Sequence, residues 1–587
     1  MIRYPHIALF GGLWLLVTAP LALPQTQPPL TPTPTAADRP QVIGTGPGTF
    51  EVHFPTGERV ERPFHAFGRV RITPVESDSD KWAVRNAAVD TFYDGQRHVA
   101  RFHVPAAGTY RIDAQLPDGS THQFDFESAM PADGLITARS GDTFFTTRDG
   151  TPLFWLADTA WNGVLKSDRE DWQAYLATRA AQRFTAIQFV TTPWRGAMKT
   201  LAQPAFKLDG DRWMGIDVDA MTQFERRVGD INRHHMIAAA VMLWALTDDD
   251  PGIRLNEAEA IALARYQKAR LGAHRMVWFL GGDGRYKNVE RWRRIGRAVF
   301  GTDDGWMRQC VTLHPSGLSW VGDQFADEAW MGFHGYQSGH GDGDDHLRRH
   351  LTGPWTKPID PVRPVINLEP NYEAHPAYQS GRPHGADHVR RAAYRSMLIH
   401  PPAGVSYGHN AIWVWNNVDG QVAENHRFKV DSWRSGLTSD GIESMTRMRN
   451  FFELGDWWNL RPITPETNDS NTQHASPQTD NANTDDAKTD NAKTSIVAAA
   501  TPGGWTIAYS PTARPIKFVP PTSDASPAAA FWFDPRTGRI APANADTGGT
   551  YHPPGHDAAQ DWIWFTGLAS ATPPMSQPTK TSASHQP

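Results

Sequence analysis

A single cysteine in 587 residues, Cys310, leaves the chain without a disulfide framework or a thiolate metal cluster. Positive charge is not in excess either. Lys and Arg number 57 against 63 Asp and Glu, for a net charge of −6, so neither nucleic acid nor an anionic lipid surface is an expected partner. Apolar runs long enough to cross a bilayer are missing. The stretch Ile7–Val17 has signal-peptide length only. With Arg3 before it and Ala19 and Ala22 after, residues 1–25 are expected to be an export signal. The mature chain would then be periplasmic or extracellular, with no transmembrane helix. Gly-x-Ser-x-Gly is absent, and Gly281-Gly282-Asp283-Gly284 has neither the phosphate-loop lysine nor the dinucleotide glycine spacing. His234-His235 and the acidic loop His340–His346 lack the spacing of a metal site. No cofactor and no resident metal are expected.

Tryptophan, in contrast, is abundant, at 23 residues. An indole offers a flat apolar face and one N–H donor, which suits the C–H face of a sugar as well as a protein core. At least four tryptophans are candidates for lining a carbohydrate cleft.

Composition and patterning divide the chain. Residues 26–43 are a Pro/Thr-rich spacer. Residues 44–127 carry short alternating runs: Thr49–Phe54, Val60–Phe67, Val89–Phe92, His98–Val104 and Gly108–Leu116. Turns at Asp94-Gly95 and Asp118-Gly119 separate them, which predicts a small β-sandwich. From 135 to 455, apolar runs alternate with amphipathic helical stretches, the signature of βα units. The eight predicted strands are Leu153–Ala157, Thr185–Val190, Ile237–Leu243, Met276–Leu280, Val311–Leu313, Met331–Tyr336, Val365–Leu368 and Ile412–Trp415. Helices are predicted at Glu170–Gln182, Asp217–Arg233, Glu257–Leu271, Val289–Val299 and Ala386–Ile399. The expected fold class is therefore α/β, a (β/α)8 TIM barrel flanked by two small all-β sandwich domains. Residues 464–495 form a low-complexity linker, 496–568 a second β-sandwich, and 569–587 a Pro/Ser/Thr-rich tail.

In such a barrel the active site forms where the strands end. The residues there are Asp158 and Trp161, Gln188 and Trp194, Trp244, Asp283, His314, Gln337 with His340, Glu369 with Tyr372 and Glu373, and Asn416. Asp283 and Glu369 end strands four and seven, on opposite sides of an eight-stranded barrel. Two opposed carboxyls are what glycosidic cleavage needs: one donates a proton to the leaving oxygen, the other attacks or stabilises the sugar cation. The remaining residues are candidates for stacking, for hydroxyl binding or for orienting Glu369.

Leu156-Ala-Asp-Thr-Ala-Trp161, Leu280-Gly-Gly-Asp283, Gln337-Ser-Gly-His340, Asn367-Leu-Glu-Pro-Asn-Tyr-Glu373 and Ser406-Tyr-Gly-His409 appear in the order found in the apiosidase-like glycoside hydrolases. Residues 135–455 resemble that family's catalytic barrel, DUF4038. Phe92-Tyr-Asp-Gly95 with His98–Val104 resembles the DUF5060 domain that often precedes it. Trp532-Phe-Asp-Pro-Arg-Thr-Gly538 resembles a collagen-binding-like module. The resemblance implies a retaining glycosidase with Asp283 as acid/base and Glu369 as nucleophile. It also implies a plant pectic glycan as substrate, with release of an apiose-linked side chain, and adds His409 to the site candidates. Retention predicts carboxyl oxygens roughly 5–5.5 Å apart. The charge of Glu369 is expected to raise the Asp283 pKa. The chain is expected to act as a monomer. The alternative is a non-catalytic carbohydrate-binding or adhesive surface protein on the same barrel.

Overall fold

The computed structural model describes residues 39–568 apart from 56–59, 76–85, 133–135, 139–140, 148, 198–204, 303, 425, 465–494, 518–528, 556 and 558. The predicted export signal, most of the spacer, most of the linker and the tail lie outside the described residues. Among those described, no helix is long and apolar enough to cross a membrane.

Eight parallel strands make one curled sheet: β1 (Trp155–Thr159), β2 (Ala186–Val190), β3 (Ile237–Trp244), β4 (Met276–Gly282), β5 (Cys310–Thr312), β6 (His334–Gln337), β7 (Val365–Asn367) and β8 (Gly404–Tyr407). Their order is β5-β4-β3-β2-β1-β8-β7-β6, with Ser319–Trp320 added antiparallel to β6 at the edge. Every residue of β3 and β4 is buried, as parallel strands covered on both faces require. Four covering helices are α1 (Arg169–Ala181), α2 (Val218–Arg233), α3 (Glu257–Leu271) and α4 (Val289–Phe300). Each begins on an Asp or Asn side chain that accepts a first-turn N–H: Asp168, Asp217, Asn256 and Asn288.

The expected closed barrel is met in part. The ladder stops between β5 and β6. There the Gly332 N–H donates to the Val311 carbonyl (2.8 Å) and the Gly335 N–H to Thr312 Oγ1 (3.3 Å). The observed architecture is thus mixed α/β, with a parallel sheet open at one seam.

The predicted eighth strand is misplaced. Ile412–Trp415 has strand-like composition, but Asn410–Val414 is a short helix. His409 Nδ1 caps it by accepting the Ala411 N–H (3.1 Å), and Trp415 ends it at φ 57°. The strand lies upstream and begins at Gly404, where a Cβ would fall 2.0 Å from the Trp155 carbonyl oxygen. Glycine is required for that close approach and also weakens the local strand signal. Val60–Phe67 fails similarly, because Pro63–His65 turns into a 3-10 helix and the strand is Arg69–Pro74.

The N-terminal β region has seven antiparallel strands, which begin at Gln41 inside the predicted spacer. Strand Ala87–Tyr93 pairs with Arg69–Pro74 through its first half and with His98–His103 through its second. The sheet therefore bends over this strand, and its far ends meet, with the Phe50 and Phe126 rings 4.9 Å apart. Towards the C-terminus, six antiparallel strands run in the order Arg461–Ile463, Val497–Ala500, Thr506–Ser510, Trp562–Thr566, Ala530–Phe533, Ile540–Ala543. One face packs Phe533 and Phe565 on Phe451 of α7 (Asp440–Phe452), after α5 (Asp344–Thr352) and α6 (Ala386–Leu398). A buried ion pair fixes this contact. Arg390 of α6 grips both oxygens of Asp561 at 2.7 Å, and the Tyr509 hydroxyl donates to Asp561 at 3.0 Å.

Candidate active site

The chain segments that follow the strands surround a cavity of about 550 Å³. Trp161, Trp194, Trp244, Asp283, Gln337, His340, Glu369 and Tyr372 line it, as the sequence suggested. Asp158, Gln188, His314, Glu373, His409 and Asn416 do not.

Glu369 follows β7 and is flanked by two imidazoles, of which His340 hydrogen-bonds it. His340 Nε2 lies 3.0 Å from Oε1, and His340 Nδ1 accepts the Tyr372 N–H at 3.3 Å. That second bond puts the ring proton on Nε2, from which it donates to the carboxylate. Burial drives the His340 pKa down to about 3, with His384 and His346 adding to the effect, so the ring is neutral. His314 lies beneath, with Nε2 3.4 Å from Glu369 Oε2 and Nδ1 3.1 Å from the Pro315 carbonyl. Donation from Nδ1 to that carbonyl leaves Nε2 facing the carboxyl with no hydrogen-bond partner among the described residues, and burial lowers the His314 pKa. Burial raises the Glu369 pKa, while His314, the Tyr372 hydroxyl and Arg195 oppose the rise.

Asp283 directly follows β4 in a left-handed conformation, φ 50°, which is strained for a residue with a Cβ. The preceding Gly282 serves packing, since a Cβ there would lie 2.6 Å from the Trp244 ring. Burial is the larger cause that lifts the Asp283 pKa well above the carboxyl range. The charge of Glu369 comes second, and Arg195 and Arg285 pull the other way. Glu369 therefore matters as expected but is not the leading influence. Two carboxyls in one cavity, held in unlike surroundings, can divide proton donation and acceptance between them.

Five of the six predicted residues outside the lining have side chains with identifiable work. Asp158 is fully buried and turned towards α1, where it takes the Tyr175 hydroxyl (2.7 Å) and Arg179 Nε (2.5 Å). Strand alternation sends its neighbour Thr159 the other way, to Gln188 Nε2 at 2.9 Å. Gln188 also donates to the Leu368 carbonyl (3.1 Å) and accepts from Ser406 Oγ (2.8 Å), which braces the chain just before Glu369. Glu373 is saturated by the Tyr407 hydroxyl (2.5 Å), Ser439 Oγ (2.7 Å) and the Gly441 N–H (3.0 Å). His409 is the helix cap described above. Asn416 follows that helix, not a strand, and its carbonyl accepts the Trp433 N–H (2.8 Å).

Four tryptophans, Trp161, Trp194, Trp244 and Trp413, line the cavity. The first three are at most 2 % exposed and spend their faces on one another, with Trp194 4.3 Å and Trp161 5.4 Å from Trp244. Polar handles remain: Trp244 Nε1 and Gln337 Oε1 are buried with no partner among the described residues, so both can serve a ligand hydroxyl. The open aromatic face belongs to Tyr378, 58 % exposed, which sequence reasoning missed. Arg195, His375, His426 and Phe428 were also missed. They come from loops without periodicity, and Trp413 stood in a segment already singled out.

The family to which the chain belongs makes it a glycoside hydrolase. A family model described as the apiosidase-like catalytic domain matches residues 139–459, more than half of the chain, which belongs to that family. A second model, of a collagen-binding domain of a collagenase, matches residues 480–565. No curated protein matches. Among solved structures, one glycoside hydrolase is 20% identical with a TM-score of 0.57, over 74% of this chain and 97% of its own. A glycoside hydrolase family 5 protein from Bacteroides vulgatus is also 20% identical, with a TM-score of 0.58, over 74% and 93%.

Proposed function

We propose that the chain is an exported retaining glycosidase, with Asp283 as acid/base and Glu369 as nucleophile. Its substrate is a complex plant glycan of the pectic type, from which it releases an apiose-linked side chain. In this reading the parallel strands of residues 135–455 act as a (β/α)8 barrel between β-sandwich domains at 44–127 and 496–568.

The observation that carries the reading is the contrast between two carboxyls in one cavity. Asp283 is kept protonated by burial and by the facing charge of Glu369. Glu369 receives a hydrogen bond from neutral His340, which steadies it as an anion. Asp283 gives its proton to the glycosidic oxygen as Glu369 attacks the anomeric carbon. Asp283, now ionised, takes a proton from the water that releases the sugar.

Sugar release from pectic side chains and synthetic glycosides tests this, with product anomers followed by proton NMR. Wild type is expected to release sugar with net retention, and Glu369→Gln to lose several orders of magnitude. An inverted first product would overturn the nucleophile role. Equal activity in Glu369→Gln would overturn the site itself.

A further inference from the structure

A second cavity, of about 400 Å³, opens at the other end of the parallel sheet. Met276 and Cys310, which begin β4 and β5, lie in its wall, whereas Asp283 and His314 lie beyond the far ends of those strands. Among the described residues its lining includes three arginines, Arg275, Arg308 and Arg363, and no carboxylate. This local excess of positive charge stands out on a chain whose net charge is −6.

Two of the arginines are anchored to one turn. Arg308 Nη2 donates to the Ala329 carbonyl (2.5 Å), Arg363 Nη1 to Ala326 (2.6 Å) and Arg363 Nη2 to Glu328 (3.2 Å), the last two also through backbone carbonyls. Carbonyls fix the guanidinium planes without neutralising them. Burial lowers the Arg363 pKa and the charge of Arg308 lowers it further, with Asp327 in partial opposition. Two like charges are thus held close, and a bound oxyanion would relieve their repulsion. Beside them Trp306 is half-buried, its Nε1 tied to the His103 carbonyl at 2.9 Å, so the ring is held in place.

We propose that this cavity binds a saccharide bearing a carboxylate or sulfate group, with Arg308 and Arg363 on the oxyanion and Trp306 against the sugar face. Such a site would tether an acidic glycan away from the catalytic end and raise the concentration of its other parts near the cleft.

Calorimetric titration of the full chain tests the proposal with digalacturonate, galactose 6-sulfate, lactose and inorganic sulfate. At least one of the two anionic sugars is expected to bind, which also identifies the oxyanion, while lactose does not. Arg308→Gln/Arg363→Gln should weaken that binding at least tenfold yet leave hydrolysis of a neutral synthetic glycoside unchanged. Trp306→Ala should weaken the sugar and not inorganic sulfate. Should the double variant fold poorly, Arg308→Gln alone serves, because that side chain is exposed. Undiminished binding in the arginine variants, or equal binding of lactose, overturns the proposal. Inorganic sulfate binding as tightly as the sugars, with no effect of Trp306→Ala, would reduce the site to a simple anion site and overturn the saccharide claim.

Discussion

Asp158→Asn separates a structural carboxylate from a sugar-binding one. Asp158 and Arg179 are both fully buried and meet at 2.5 Å, while Arg179 also reaches the Gly436 carbonyl (2.9 Å) and Gln182 Oε1 (2.6 Å). The substitution leaves a guanidinium in the interior with neutral partners only. Loss of one member of a buried pair costs about 3–5 kcal/mol. The surviving neutral bonds put the expected loss near the lower end, about 3 kcal/mol. Urea unfolding followed by tryptophan fluorescence would read it as an earlier midpoint. The cleft is not lined by Asp158, so kcat/KM measured well below the unfolding range should stay within about threefold, under 1 kcal/mol of transition-state energy. Unchanged stability together with a tenfold or greater loss of kcat/KM would refute the reasoning and return Asp158 to the substrate.

The pH dependence of kcat/KM should be bell-shaped, rising as Glu369 ionises and falling as Asp283 loses its proton at a pH well above the usual carboxyl range. In Glu369→Gln, carbon NMR of labelled Asp283 should report a lower pKa than in wild type, still above the ordinary value because burial persists. His340→Ala removes the 3.0 Å bond to Glu369 and should lower kcat/KM by about 10–100-fold, with partial recovery in His340→Gln. Glu225, half-buried beside Arg101 (2.7 Å) and Arg270 (2.8 Å), ties the N-terminal β region to α2 and α3. Burial alone would raise its pKa, but the two guanidiniums overcome that and hold it at about 2 against 4.5. Its stabilisation should be complete above about pH 4.5 and lost as pH falls towards 2, a slope that Glu225→Gln should flatten in acid melts. Arg390→Leu leaves Asp561 unpaired and should release the C-terminal sheet from α6, with faster proteolysis there; an unchanged cleavage pattern would show that the ion pair is dispensable.

Much of the architecture is legible in the residues themselves. Helix starts announce themselves through Asp168, Asp217, Asn256 and Asn288, and the uniformly apolar β3 and β4 read as strands because parallel strands are covered on both faces. Asp283 and Glu369 were visible because each lies within a few residues of the end of a predicted strand. Other features depended on distant partners. Ile412–Trp415 falls in a short helix and its turn, while the strand forms upstream, where Gly404 lies close to Trp155. Whether Asp158 faced a sugar or Arg179 depended on the side of β1 that the helix layer covered. A one-residue step along a strand reverses a side chain's direction, and local composition does not record which face is inside. The cleft residues from loops, Arg195, Tyr378 and His426, had no period to reveal them. Local sequence sets capping, strand composition and the supply of carboxyls, because those depend on neighbours along the chain. Tertiary structure decides which carboxyl is desolvated, which is paired and which is left free to react, because those energies depend on groups tens or hundreds of residues away.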